Sequence, residues 1–167
     1  MTIYKNAINI CYWNIGGLFT KNINKTNDTH FLKEIQDYDI VILAETHVGY
    51  DTSVVIENFN YFPVCRDISL NGRYYGGLAI LRKNSLKEHI KILPSTCKDY
   101  QWLKFDKKYF HLQSDLYLCA VYIPPNNSSY TKHLSYDILE LVEKDILNFK
   151  GKGDVVICGD FNARTGN

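Results

Sequence analysis

The sequence predicts a strand-rich α/β domain, and three observations predict it. Short apolar runs recur along the chain, and most are bounded by Gly, Pro, Asn or Asp, as strands are. Tyr (13) and Phe (8) are abundant, and aromatic side chains fit a pleated, half-buried surface. One stretch, residues 135–149, carries its apolar residues at helical spacing. With 167 residues, 46% hydrophobic and 22% charged, the chain is large enough for one domain with a continuous core and too apolar for disorder. A formal net charge of +1 gives little long-range steering, so a nucleic-acid partner must be held by a local basic patch or a metal.

The five Cys, at 11, 65, 97, 119 and 158, are odd in number, show no C-x-x-C spacing and have no His at zinc-ligand distance. That argues against a disulfide framework and against structural zinc. Cys11, Cys119 and Cys158 lie inside apolar runs and read as small buried hydrophobes. Ile8 to Trp13 is too short and too interrupted for a signal sequence, and no stretch approaches membrane-spanning length. An intracellular protein is expected, nuclear if it acts on genomic DNA.

Taken in order, Ala7 to Trp13 alternates and forms a strand that ends at Asn14, before Gly16-Gly17. Phe19 to Asp28 is a loop, and Thr26, Asn27 or Asp28 caps a short helix bearing Phe31, Leu32 and Ile35. Asp39 to Ala44 is a continuous apolar strand whose mouth carries Glu45 and His47. A Glu in that position is costly to desolvate without a partner, and a divalent cation or an arginine would serve equally. Phe59 to Arg66 and Gly77 to Arg82 are two further strands, joined through an Asn71-Gly72 step that suggests a hairpin-type turn. Arg73 and the paired Gly76 and Gly77 are placed to approach a phosphate, or to form a solvated loop with positive φ. Leu86 to Leu93 is a strand closed by Pro94. Gln101 to Leu112 reads as a hairpin turned by Asp106-Lys107-Lys108. With Lys104 this is the densest basic cluster, either a solubilising tip or a phosphate contact. Leu116 to Ile123 is another strand, and the prolines after it leave Tyr122 near an edge. Leu134, Ile138, Leu141, Val142 and Phe149 fall on or near one helical stripe, with Ser135 as cap and Gly151 or Gly153 as stop. Val155 to Cys158 is expected to be a strand buried on both faces, after which Gly159 turns the backbone.

Asp160 and Asn162 follow that turn. Two residues apart on an extended segment, they face the same way and can converge on one ligand, although an Asx-turn explains the same pair. Three apolar strands thus deliver Asn14, Glu45 and Asp160 with Asn162 at their carboxyl ends, and a fourth delivers Tyr122. Oxygen donors without a Cys or His pair fit a hard cation such as Mg²⁺, which retains waters and bridges to phosphate. The chemistry implied is phosphoester hydrolysis. Glu45 holds the ion, Asp160 takes the proton of an attacking water, and Asn162 and Asn14 orient Asp160 and the phosphate.

Five blocks carry a resemblance: Tyr12 to Leu18, Ile42 to His47, Gly76 to Leu81, Val121 to Pro125 and Gly159 to Gly166. In order and across nearly the whole chain, they resemble the endonuclease/exonuclease/phosphatase family, most closely the apurinic-type endonuclease domain of non-LTR retrotransposons. The resemblance implies a DNase I-like four-layer α/β sandwich of two packed mixed sheets, and a nick in duplex DNA that primes reverse transcription. It implies Mg²⁺, with Mn²⁺ as a substitute. Glu45 resembles the metal ligand, Asp160 and Asn162 the base and its orienting amide, Asn14 the Asn that supports the metal ligand or lies on the phosphate side, and Tyr122 the phosphate-contacting Tyr. His47 and Arg164 lie in matched blocks, and Arg73, Lys104, Lys107 and Lys108 are further candidates for phosphate contact. Family members continue into a closing Ser-Asp-His motif, whereas this sequence ends at Asn167, so the resemblance implies a single domain over 1–167 that is incomplete at its C-terminus. A non-catalytic nucleic-acid or partner binder, and a small-molecule or phospholipid phosphoesterase of the same fold, are the alternatives.

Overall fold

The structure, a computed structural model, describes residues 7–95, 97–126 and 128–163. Ile40–Ala44 forms β2, and all five of its residues are buried because the strand is internal to its sheet. On one side β1 (Ile10–Asn14) runs parallel to it; on the other β4 (Leu78–Lys83) runs antiparallel, with β3 (Phe59–Val64) at the far edge. Alternation then sorts the side chains between the two faces. Ile40, Ile42, Leu78 and Ile80 face the second sheet, whereas Val41, Leu43, Ala79 and Leu81 face outward onto Phe31 and Ile35 of α1 (Thr29–Gln36). Asp28 is the residue that caps α1, its Oδ1 accepting from the backbone N–H of His30 at 2.8 Å and of Phe31 at 3.0 Å.

The second sheet holds β5 (Ile90–Ile92), β6 (Tyr100–Phe105), β7 (Asp115–Tyr122) and β8 (Gly153–Asp160) in that order, with β7 and β8 parallel. Ile90, Leu103, Phe105, Leu118 and Ala120 close the core between the sheets. Trp102, Tyr117, Cys119 and Val121 point the other way, onto Ile138 and Val142 of α3 (Ile138–Phe149). Burial of two polar aromatics there is satisfied by one carboxylate: Trp102 Nε1 and Tyr100 OH each donate to Asp145 Oδ2 at 2.9 Å. Helix, sheet, sheet, helix is the four-layer α/β sandwich of the DNase I type.

Several local expectations are corrected. Residues 106–112 are not a hairpin: Asp106 Oδ1 caps Lys108 N–H at 2.9 Å and starts a short helix, α2 (Lys107–Phe110), which ends at His111 with φ 53°. Helical rise lets Phe110 enter the core beside Phe105, with ring centroids 5.7 Å apart. The strand expected over Leu86 to Leu93 is reduced to β5, because Leu86 sits in a 3₁₀ turn and only Ile90 to Ile92 pair with β6. Asp137 rather than Ser135 caps α3. Among the described strands β8 lies at the edge and is not buried on both faces, and Val156 is 45% exposed. Gly159 lies within β8 instead of turning it; glycine is required there because a Cβ would overlap the Val121 carbonyl oxygen of β7.

Candidate active site

β1 and β2 are parallel, as are β7 and β8, and the two pairs meet where Tyr12 OH donates to the Val121 carbonyl at 3.0 Å. Their carboxyl ends therefore open on one mouth between the sheets. Asn14, at the end of β1, donates from Nδ2 to Glu45 Oε1 at 3.0 Å and reaches Asp160 Oδ2 at 3.5 Å. Its own Oδ1 is held by the Gly16 N–H at 3.2 Å. Tyr122, at the end of β7, donates its hydroxyl to the same Glu45 Oε1 at 2.8 Å. One carboxylate from each sheet, bridged by one amide and flanked by one phenol, is what the fold assembles.

The backbone beneath is unusual. Among the described residues, five other than Gly have positive φ, and three of them are here: Glu45 (54°), His47 (55°) and Asn162 (43°). Such conformations are strained by roughly 1–3 kcal/mol each and persist only where neighbours impose them. The neighbours are visible: Gly17 N–H donates to the Glu45 carbonyl at 2.7 Å, Leu18 N–H to that of Thr46 at 2.8 Å, and His47 N–H to that of Gly76 at 2.9 Å. Glu45 and His47 do approach, with Nε2 to Oε2 at 3.8 Å. Burial pulls the His47 pKa below its ordinary value and so favours a neutral ring near pH 7, while the Glu45 carboxylate opposes that shift. Burial first, and then its bond to Glu45, push the Tyr122 phenol up, so it remains a donor.

Asp160 and Asn162 make the Asx-turn, with Asn162 N–H donating to Asp160 Oδ1 at 2.9 Å. The backbone amide of Asn162 thus orients Asp160, and its carboxamide instead donates to the Ile123 carbonyl at 2.8 Å. The donor set fits a Mg²⁺-type ion: both hydrogen bonds to Glu45 end on Oε1, so Oε2 has room for a cation, and the Glu45 side chain is 29% exposed. No group of three or more His, Cys, Asp and Glu forms a closed metal cage among the described residues. An open site of one or two carboxylates plus waters is how Mg²⁺ is ordinarily held.

The remaining candidates disperse. Lys104 lies at the opposite end of β6 from Tyr100, paired with Tyr117, while Tyr122 is five residues further along β7, roughly 17 Å away at the rise of a strand. Its Nζ bonds Asp115 Oδ2 at 2.7 Å, and Lys107 and Lys108 begin α2 beside it. Arg73 is exposed on the loop joining β3 to β4, and Arg164 lies outside the described residues. Sequence reasoning missed the arginine beside the site. Arg66 gives its guanidinium to Asp99, not to Glu45, with Nη2 to Oδ1 at 2.6 Å. No local signal links two residues 33 positions apart. Among the described residues, no helix is long and apolar enough to cross a membrane.

The fold has counterparts among solved structures. The 3′ phosphatase NExo from Neisseria, bound to product DNA hairpin, matches 96% of the chain with TM-score 0.59 and 14% identity. An AP endonuclease from Archaeoglobus fulgidus matches 94% at 0.54 and 17% identity, and D. rerio TDP2 with single-strand DNA product matches 94% at 0.50 and 20%. The chain spans only 60%, 58% and 61% of those three chains. No match was found among curated protein sequences. The sequence model of one family, however, aligns with residues 11–166, nearly the full length, and the fold agrees with it: the chain belongs to the endonuclease/exonuclease/phosphatase family.

Proposed function

We propose that the chain hydrolyses phosphodiester bonds as the Mg²⁺-dependent DNA-nicking domain of a retrotransposon-like protein. The observation that carries this reading is the chain of bonds Tyr122–Glu45–Asn14–Asp160, which joins a carboxylate from each sheet at one mouth. Glu45, through Oε2, would hold the ion, which when bound supplies charge neutralisation on the phosphate. Asp160 accepts the proton of a water as the water oxygen attacks phosphorus, while the bond from phosphorus to the 3′ oxygen breaks and that oxygen takes a proton from solvent water. The products are a 3′ hydroxyl, which can prime synthesis, and a 5′ phosphate. The Asn162 N–H holds Asp160 Oδ1 and so presents the other oxygen, near Asn14, to the water. Tyr122 OH, which donates to Glu45, exchanges that acceptor for a phosphate oxygen when substrate binds. DNA as substrate is supported by family membership and by the DNA held in the NExo and TDP2 structures.

The test is conversion of supercoiled plasmid to open circles by purified protein, with Mg²⁺ or with EDTA. Nicking should need the cation and should fall by on the order of 10²-fold or more in Asp160→Ala, the loss expected for a general base. Parental rates in a folded Glu45→Gln variant would sink the reading. Phosphate release from soluble phosphoesters with plasmid left intact would move the substrate to small molecules.

A further inference from the structure

We infer that Arg66 is a positioning residue, which with Asp99 locks the two sheets at the mouth and fixes the Tyr122 ring so that its hydroxyl meets Glu45. Arg66 stands two residues beyond β3 in the first sheet, and Asp99 immediately before β6 in the second. Their side chains are 4% and 0% exposed. Nε donates to Asp99 Oδ1 at 2.8 Å with Nη2 in ion-pair contact with the same oxygen at 2.6 Å, and Oδ2 accepts from Tyr130 OH at 3.1 Å and Tyr136 OH at 2.9 Å. The carboxylate is thereby saturated from both sides.

This pair holds Tyr122 by its backbone N–H, its backbone carbonyl and its ring. Its N–H donates to the Asp99 carbonyl at 2.9 Å, and its carbonyl receives Arg66 Nη2 at 3.5 Å. The guanidinium contacts two rings, its carbon 4.9 Å from the Tyr122 centroid and 4.0 Å from that of Tyr130. Gly76 passes against the guanidinium at φ 67°, where any Cβ would overlap Nη1, and its carbonyl holds His47 N–H. One planar cation therefore touches the segments that set Tyr122 and His47. A buried ion pair is weak evidence for stability, since apolar residues often replace one without loss. What a rigid fork stacked on rings supplies is orientation, and Lys, a flexible point charge, cannot reproduce it.

This inference rests on the reading of Tyr122 as part of the active site, and its test separates the two. The full chain is labelled with 3-fluorotyrosine, and the Tyr122 resonance is assigned by its loss in Tyr122→Phe. In Arg66→Lys, and in Arg66→Met/Asp99→Leu, which leaves no charge buried alone, that resonance should shift or broaden while that of Tyr61 stays. In nicking assays Arg66→Lys should lower kcat, by up to about 10²-fold for a misplaced group, with little change in KM. Added to Tyr122→Phe it should cause no further fall, because it acts through that residue. An unmoved Tyr122 resonance in a folded variant, or losses that multiply, would overturn the inference. If the parent does not nick DNA, the functional reading fails and the fluorine spectra still decide the positioning role. If the double variant does not fold, Arg66→Lys carries the comparison.

Discussion

At Glu45 and His47 the backbone is left-handed, and yet the two side chains still converge. Ordinary strand alternation would have given that convergence without strain, so hydrogen bonds from Gly17 and to Gly76 are what impose the alternative. The His47 ring reports on this enclosure. Its folded pKa is depressed below the ordinary 6.5, mainly by burial, so its neutral form favours the fold above that pH. That contribution is lost as pH falls through the folded pKa. Urea midpoints of the parent should therefore drop more between pH 7 and pH 5 than those of His47→Gln, and equal drops would refute the assignment. The candidate residues themselves were legible one by one. Asn14, Glu45, Tyr122 and Asp160 each follow an apolar run, where a polar group marks the end of a strand. Which of their atoms would bond was not legible: the amide that orients Asp160 belongs to the Asn162 backbone, and a sequence does not say which of two amides is used.

Among the elements, β2 and β8 make the sharpest contrast. Both read as continuous apolar runs, and only β2 is buried throughout. Neighbours decide that difference, since β2 lies between β1 and β4 while β8 has β7 on one side only among the described strands. Similarly, Asp106 to Leu112 has the alternation of a hairpin but folds as a capped helical turn, because that is how Phe110 reaches the core. The site depends on how closely β8 approaches β7. Gly159→Ala would drive a Cβ into the Val121 carbonyl, backbone that cannot step aside, and should destabilise by about 1–3 kcal/mol and displace Asp160 from Asn14. Gly151→Ala, where nothing lies within 4 Å, should be neutral or stabilise by up to about 1 kcal/mol. Thermal unfolding of the two variants side by side checks this pair, and equal melting temperatures would count against it.

For the molecule as a whole, the interior between the sheets ties fold and site together. Leu103 is fully buried in that layer, in the same cluster as Ala120 and Tyr122. Leu103→Ala should therefore destabilise by about 2–5 kcal/mol in urea titrations, with the slope unchanged if the sheets unfold as one unit. A loss below about 1 kcal/mol would mean that the layer is looser than its burial indicates. The sequence by itself determined a strand-rich α/β domain with one amphipathic helix before the last strand, because periods of 2 and 3.6 are written into hydrophobicity, whereas the layer order came with the family resemblance. It also determined that oxygen-bearing side chains end β1, β2, β7 and β8. The tertiary structure alone decided which strand lies at an edge, that Lys104 sits at the end of its sheet away from Tyr122, and that Arg66 meets Asp99 beneath Tyr122. Those outcomes depend on contacts between residues far apart in the chain, and local pattern carries no record of such distances.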